Sequence, residues 1–146
     1  MPQASDMTPR FVDAILRWRG TPVVARVALA SAYLIGGITK LADFSAAVAE
    51  QEHFGLTPGW LWASLAIAVE LVGSVLVISG RLVWLGAGGL GVLTAVAMLT
   101  ANRFWALEGA ARFAAFNAFF EHLGLIGGFV LVAVLACRTA SPSRSS

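Results

Sequence analysis

Charge, cysteine and histidine are all scarce in this chain of 146 residues. Charged residues make up 12% of it, where an average soluble domain carries roughly 25%. Hydrophobic residues reach 58% and mean hydropathy is +0.80, so a water-soluble fold of this size could not hide the apolar surface, whereas lipid can solvate it. The single cysteine, Cys137, excludes the paired thiols of a disulfide-exchanging enzyme, and its apolar neighbours make it an inert packing group. With two histidines, His53 in a loop and His122 in a hydrophobic span, a bis-histidine haem is not expected, nor is a metal site. No strands are expected, so no Gly-rich dinucleotide fingerprint can follow one; Gly86, Gly88, Gly89 and Gly91 read instead as a close-packing helix face. The net charge of +2 comes with scattered arginines, which argues against a nucleic-acid partner.

What the chain does have is four hydrophobic runs of spanning length, each about 20 residues as a hydrocarbon core roughly 30 Å thick requires. They are Val24 to Asp43, Trp60 to Ser79, Leu82 to Ala101 and Ala118 to Cys137. The expected fold class is all-α, an integral membrane four-helix bundle whose first partner is the lipid bilayer. The first run is too long for a signal-peptide core and has no clear cleavage site after it, so it reads as a retained anchor. Residues 1–22 form an arm, 23–137 the four-span domain, and 138–146 a Ser-rich, disordered tail. In the arm, Phe11, Ile15 and Trp18 recur at helical spacing between Arg10, Asp13, Arg17 and Arg19, the pattern of a short helix lying on the membrane surface; an irregular arm is the competing reading.

The connections differ in kind. Between the first two spans, Ser45 is placed to cap a short helix running through Glu52, Gly55 ends it, and Thr57-Pro58 starts the second span. Gly80 and Arg81 leave room only for a tight turn. Asn102 to Asn117 reads as a longer, partly aromatic loop. Seven of the ten basic residues, Arg10, Arg17, Arg19, Arg26, Arg81, Arg138 and Arg144, fall on the side of the termini, while Lys40, Arg103 and Arg112 fall on the other. The positive-inside rule therefore expects both termini in the cytoplasm and the acidic loop with Glu50, Glu52 and His53 outside.

Faces carrying polar or small residues should point into the bundle. On the first span these are Arg26, Ala30, Tyr33, Gly37 and Lys40; on the second Ala66, Glu70, Gly73 and Ser74; on the third Ala87, Gly91, Thr94, Met98 and Asn102; on the fourth Asn117, Glu121, Gly124 and Gly128. Glu70 stands at the centre of its span, where an ionisable group costs up to roughly 2.5–3.5 kcal/mol and so requires a partner. At about 1.5 Å rise per residue it lies roughly 15 Å below the outward surface and Lys40 about 5 Å below it. Arg26 is about equally distant on the other side, so either cation reaches Glu70. The cluster Arg26, Tyr33, Lys40, Glu70, Glu121 and His122 is thus a candidate polar interior, serving either helix register or function.

Arg26, Gly36-Gly37, Lys40-Leu41 and Phe44, followed by Gly55-Leu56-Thr57-Pro58, Glu70, the Gly80 turn, Phe104-Trp105 and Gly127-Gly128, together resemble the DoxX family of small four-helix membrane proteins. The resemblance spans about residues 22 to 137. One departure is visible, since relatives often carry Lys-Asn where this chain has Glu121-His122, which reverses charge in the outward half. The resemblance implies a multi-pass protein of the bacterial inner membrane. Some relatives serve as subunits of quinone-linked redox systems and others are associated with oxidative stress.

Two function classes follow. In one the chain is an accessory subunit of a quinone-linked oxidoreductase, not active alone. A quinone head then meets Lys40, Glu70 and His122 with Tyr33 and Trp105 nearby, and Glu70 relays protons. In the other it is a non-catalytic scaffold for a redox or stress-response partner, with a homo-oligomer also open, and the polar cluster only orders the helices.

Overall fold

A computed structural model describes residues 8–140. Its elements in chain order are the helices α1 (Arg10–Arg17), α2 (Thr21–Ala42), α3 (Phe44–His53), α4 (Gly59–Ser79), α5 (Val83–Ala101) and α6 (Gly109–Ala140), with a 3-10 turn at Phe104–Ala106 before the last. No strand occurs among the described residues. Residues 1–7 of the arm and 141–146 of the tail lie outside them.

Local chemistry sets the boundaries. Pro22 stands in the first turn of α2, where a missing N–H costs nothing. The α2 to α3 junction is made by Asp43, whose Oδ1 accepts from the Ala46 N–H at 3.0 Å and the Ser45 hydroxyl at 2.8 Å. Asp43, expected as the last residue of a span, is therefore the cap of α3, and Ser45 supports it instead of capping. Gly80 closes α4 in the left-handed region at φ 75°, and the turn that follows makes α4 and α5 a hairpin.

α2, α4, α5 and α6 are the four helices long and apolar enough to cross a membrane. Three match the expected spans closely. The fourth begins at Gly109, nine residues earlier than expected, so the anticipated aromatic loop shrinks to residues 102–108. Ala110, Ala111, Ala114 and Ala115 are strong helix formers, and Phe113, Phe116 and Phe120 recur at intervals of three and four, so the segment propagates as helix. Thirty-two residues span about 48 Å, well beyond the hydrocarbon thickness.

Helices consecutive among the four pack on one another, and α2 also touches α6, where Leu29 lies against Gly128 and Tyr33 meets the Phe129 ring edge-on at 5.4 Å. The buried core is Ala30, Val77, Ala87, Leu90 and Phe129. α4 and α5 approach closely, and a Cβ on Gly86 would stand 2.7 Å from the Gly73 carbonyl oxygen. Gly88 and Gly91, by contrast, face open space, so only part of the glycine run is a packing face.

The second-span seam is buried throughout, as Ala66, Glu70, Gly73 and Ser74 show. The fourth-span seam is not. Asn117, Glu121 and Gly124 are exposed, and α6 turns Ala115, Leu125 and Phe129 inward instead. Its contribution to the core is an aromatic and aliphatic stripe, because Phe129 fills more of the space between α2 and α5 than glycines could. Elsewhere the four helices present large apolar side chains outward, among them Ile35, Ile38, Val72, Val92 and Leu131. Apolar surface on this scale needs lipid around it, and the protein is a multi-pass membrane protein.

Candidate functional site

Glu70 sits at the middle of α4 with 6% of its surface exposed. Lys40, two residues from the end of α2, donates from Nζ to Glu70 Oε1 at 2.6 Å. Of the two cations within reach by depth, Lys40 holds the carboxylate; Arg26 lies at the opposite end of α2 against Gly80. The approach depends on glycine. A Cβ on Gly37 would stand 3.1 Å from Glu70 Cβ and 2.9 Å from Leu71, while one on Gly36 would meet the carboxylate at ordinary contact distance. The second carboxylate oxygen, Oε2, is buried with no hydrogen-bond partner among the described residues. A buried acceptor left this way is costly and marks a place where another group can be recognised.

Glu70 and Lys40 line a small cavity of about 110 Å³ between the ends of α2, α3, α4 and α5. Glu50 and Gln51 of α3 and Thr100 of α5 complete its polar wall. Immediately beside it, an apolar groove of about 390 Å³ runs along α4 and α5 between Trp62, Leu65, Val69 and Val92. The two share Gln51, Leu56, Ala66, Leu93 and Val96 as a common wall. The polar cavity alone is smaller than a typical ligand site of about 300–1,000 Å³, whereas the groove falls within that range.

The remaining candidates are placed elsewhere. Tyr33 shares a hydrogen bond with Thr94 at 2.6 Å and joins α2 to α5. Ser74 donates to the Ala30 carbonyl at 3.3 Å and joins α4 to α2. Trp105 belongs to an aromatic cluster at the start of α6, with Phe104 at 5.2 Å and Phe119 at 6.1 Å. His122 is half-buried on α6, its Nδ1 2.6 Å from the Ala118 carbonyl, and Glu121 is exposed. Of the six residues in the expected cluster, only Lys40 and Glu70 form an ion pair. Glu50, Gln51 and Thr100 were not among the site residues expected from sequence. The signal for them was the position of α3 just before the start of α4 and the recurrence of Leu93, Val96, Ala97 and Thr100 along one face of α5.

No group of three or more histidine, cysteine, aspartate or glutamate side chains is placed to hold a metal among the described residues. The family model of DoxX matches residues 21–103, from the start of α2 to just beyond α5. Phe104-Trp105 and Gly127-Gly128 lie beyond that match. No curated protein and no solved structure matches the chain.

Proposed function

Because the chain belongs to the DoxX family, we propose that it is an accessory subunit of a quinone-linked redox system in the bacterial inner membrane. In this reading it is a four-helix bundle with both termini in the cytoplasm, working with an oxidoreductase or stress-response partner and not catalytic alone. The observation that carries the proposal is the juxtaposition of a lipid-facing apolar groove with the Lys40–Glu70 pair, whose carboxylate has one oxygen unused. An amphiphile with a flat apolar body and a polar head fits such a site, the body against Trp62 and Val92 and the head toward Lys40 and Glu70. A quinone supplies electron and proton carriage when bound. Of this chain's groups, Lys40 donates to an oxygen of the head and Glu70 accepts a proton and passes it toward the outward cavity. His122 on α6 and Trp105 in the 3-10 turn before it are not needed for this site.

Trp62 lines the groove and reports its occupancy. A short-chain ubiquinone or menaquinone analogue should quench tryptophan fluorescence saturably in detergent-solubilised protein. Lys40→Met should weaken that binding at least about tenfold, as loss of a hydrogen bond to a charged group implies, while Glu108→Gln leaves it intact. Quenching that only tracks partition into the micelle, equal in wild type and Lys40→Met, overturns the quinone site. The pair then serves helix register within a scaffold for a partner protein.

A further inference from the structure

The end of the molecule that holds the start of α2 and the end of α6 is strongly basic. Arg10, Arg17, Arg19, Arg26, Arg81 and Arg138 lie there, and Asp13 is the one acidic residue of that end among the described residues. Asp13 is already engaged by Arg17 at 2.6 Å. The opposite end carries Asp43, Glu50, Glu52 and Glu108 with Lys40, Arg103 and Arg112, so positive charge is in excess at the end that holds the start of α2.

Arg26 is half-buried, five residues into α2 and so roughly 8 Å from its start. Its guanidinium lies over the turn that ends α4, where a Cβ on Gly80 would collide with it. Its one hydrogen bond to protein among the described residues runs from Nε to the Pro22 carbonyl at 3.1 Å. The two terminal nitrogens keep their donors, the fork that matches phosphate oxygens in pairs. Beside them a groove of about 370 Å³ runs between α2 and α6, walled by Pro22, Ala25 and Arg26 on one side and by Val132, Leu135 and Thr139 on the other.

α1 sets the depth of this feature. Phe11, Ile15, Leu16 and Trp18 are all exposed, and Arg10 and Arg17 stand among them. The Thr21 hydroxyl donates to the Ile15 carbonyl and ties the helix to the start of α2. A short helix with two arginines that leaves Phe11, Ile15 and Leu16 exposed belongs in the headgroup layer. That brings Arg26 within reach of lipid phosphates while the groove descends among acyl chains.

We propose that the groove between α2 and α6 is a binding site for one anionic phospholipid, its phosphate on the Arg26 guanidinium and an acyl chain between the two helices. Free phosphate would use the same fork but leave the apolar trough empty, and a zwitterionic lipid would bring a second charge into a field that is already positive.

Thermal unfolding of the full chain in mild detergent tests this. Phosphatidylglycerol should raise the melting temperature saturably, with phosphatidylcholine and inorganic phosphate giving little or no shift. Arg26→Gln should raise the phosphatidylglycerol concentration needed at least about tenfold, and Arg81→Gln should not. Ala25→Trp, which fills the trough and spares the guanidinium, should abolish the shift as well, and covers the case in which Arg26→Gln fails to fold. Equal stabilisation by both lipids, a full shift with inorganic phosphate alone, or an unchanged response in Ala25→Trp would each overturn the site.

Discussion

Lys40 and Glu70 meet at 2.6 Å across the α2–α4 interface with unequal burial, the lysine side chain 23% exposed and the glutamate 8%. The inequality decides what each substitution does. Removing Glu70 leaves an ammonium two residues from a helix end, free to extend toward the headgroups. Removing Lys40 strands a carboxylate in the middle of a span, with neither oxygen paired. We therefore expect Lys40→Met to destabilise by about 3–5 kcal/mol, the cost of breaking a buried pair from one side, and Glu70→Gln by clearly less. The double variant Lys40→Met/Glu70→Met should recover most of the loss. Melting curves in detergent check the order; equal losses for the two single variants would mean that both charges reach water.

The α4–α5 contact leaves no room for a methyl at Gly86, and its test is a pair of alanines. In Gly86→Ala the new methyl meets the Gly73 carbonyl oxygen, which is backbone and cannot swing away. Gly88→Ala meets nothing within 4 Å. The first should destabilise by about 1–3 kcal/mol, as overpacking does, and the second should be neutral or slightly stabilising through helix propensity. Comparable losses from both would show that the glycine run packs along its whole length.

The contrast between these two glycines also explains what could be read before the fold was seen. Span count, the α4–α5 turn and the buried face of α4 were legible, because a long apolar run, a tight Gly-containing turn and a carboxylate among small residues each carry a distinct energetic demand. The α6 face was not. Asn117, Glu121 and Gly124 carry the same polar and small-residue pattern that correctly marked α4, yet they point outward while Phe129 takes the interior. Polarity marks a face that needs a partner, and only packing shows whether the chain itself provides it. Lys40 and Arg26 were equivalent by depth alone; the close approach of α2 to α4 at Gly36 and Gly37 brings the lysine to Glu70, while the Arg26 guanidinium turns to Gly80 at the other end.

Asp43 gives the cap of α3 a pH response. Hydrogen bonds from the Ala46 N–H and the Ser45 hydroxyl hold its carboxyl below the usual carboxylate range. A depressed value means that the capped form gains stability wherever the free carboxyl, near about 3.9, would already be ionised, and loses it as pH falls through the lower folded value. Protection of the Ala46 and Ala47 amides, taken relative to the intrinsic exchange rate at each pH, should be high at neutral pH and fall on acidification below about 3.9. Asp43→Asn should keep the cap and flatten that dependence, and Asp43→Ala should accelerate exchange at every pH. A pH response that survives in Asp43→Asn would assign it to another group.

Orientation is the prediction on which the proposed proton path and the lipid leaflet both depend. The excess of arginine at one end argues for that end in the cytoplasm, which puts α3 and the cavity under it on the outer side. In a Cys137→Ser background, Glu50→Cys should react with a membrane-impermeant thiol reagent in intact cells, and Ser143→Cys should react only after the membrane is opened. Labelling in the reverse pattern would invert the topology. The Lys40–Glu70 cavity would then open to the cytoplasm and the phospholipid groove would face the outer leaflet. Labelling at both positions in intact cells would contradict four spans, since an even number of crossings keeps the tail and the α2–α4 connection on opposite sides.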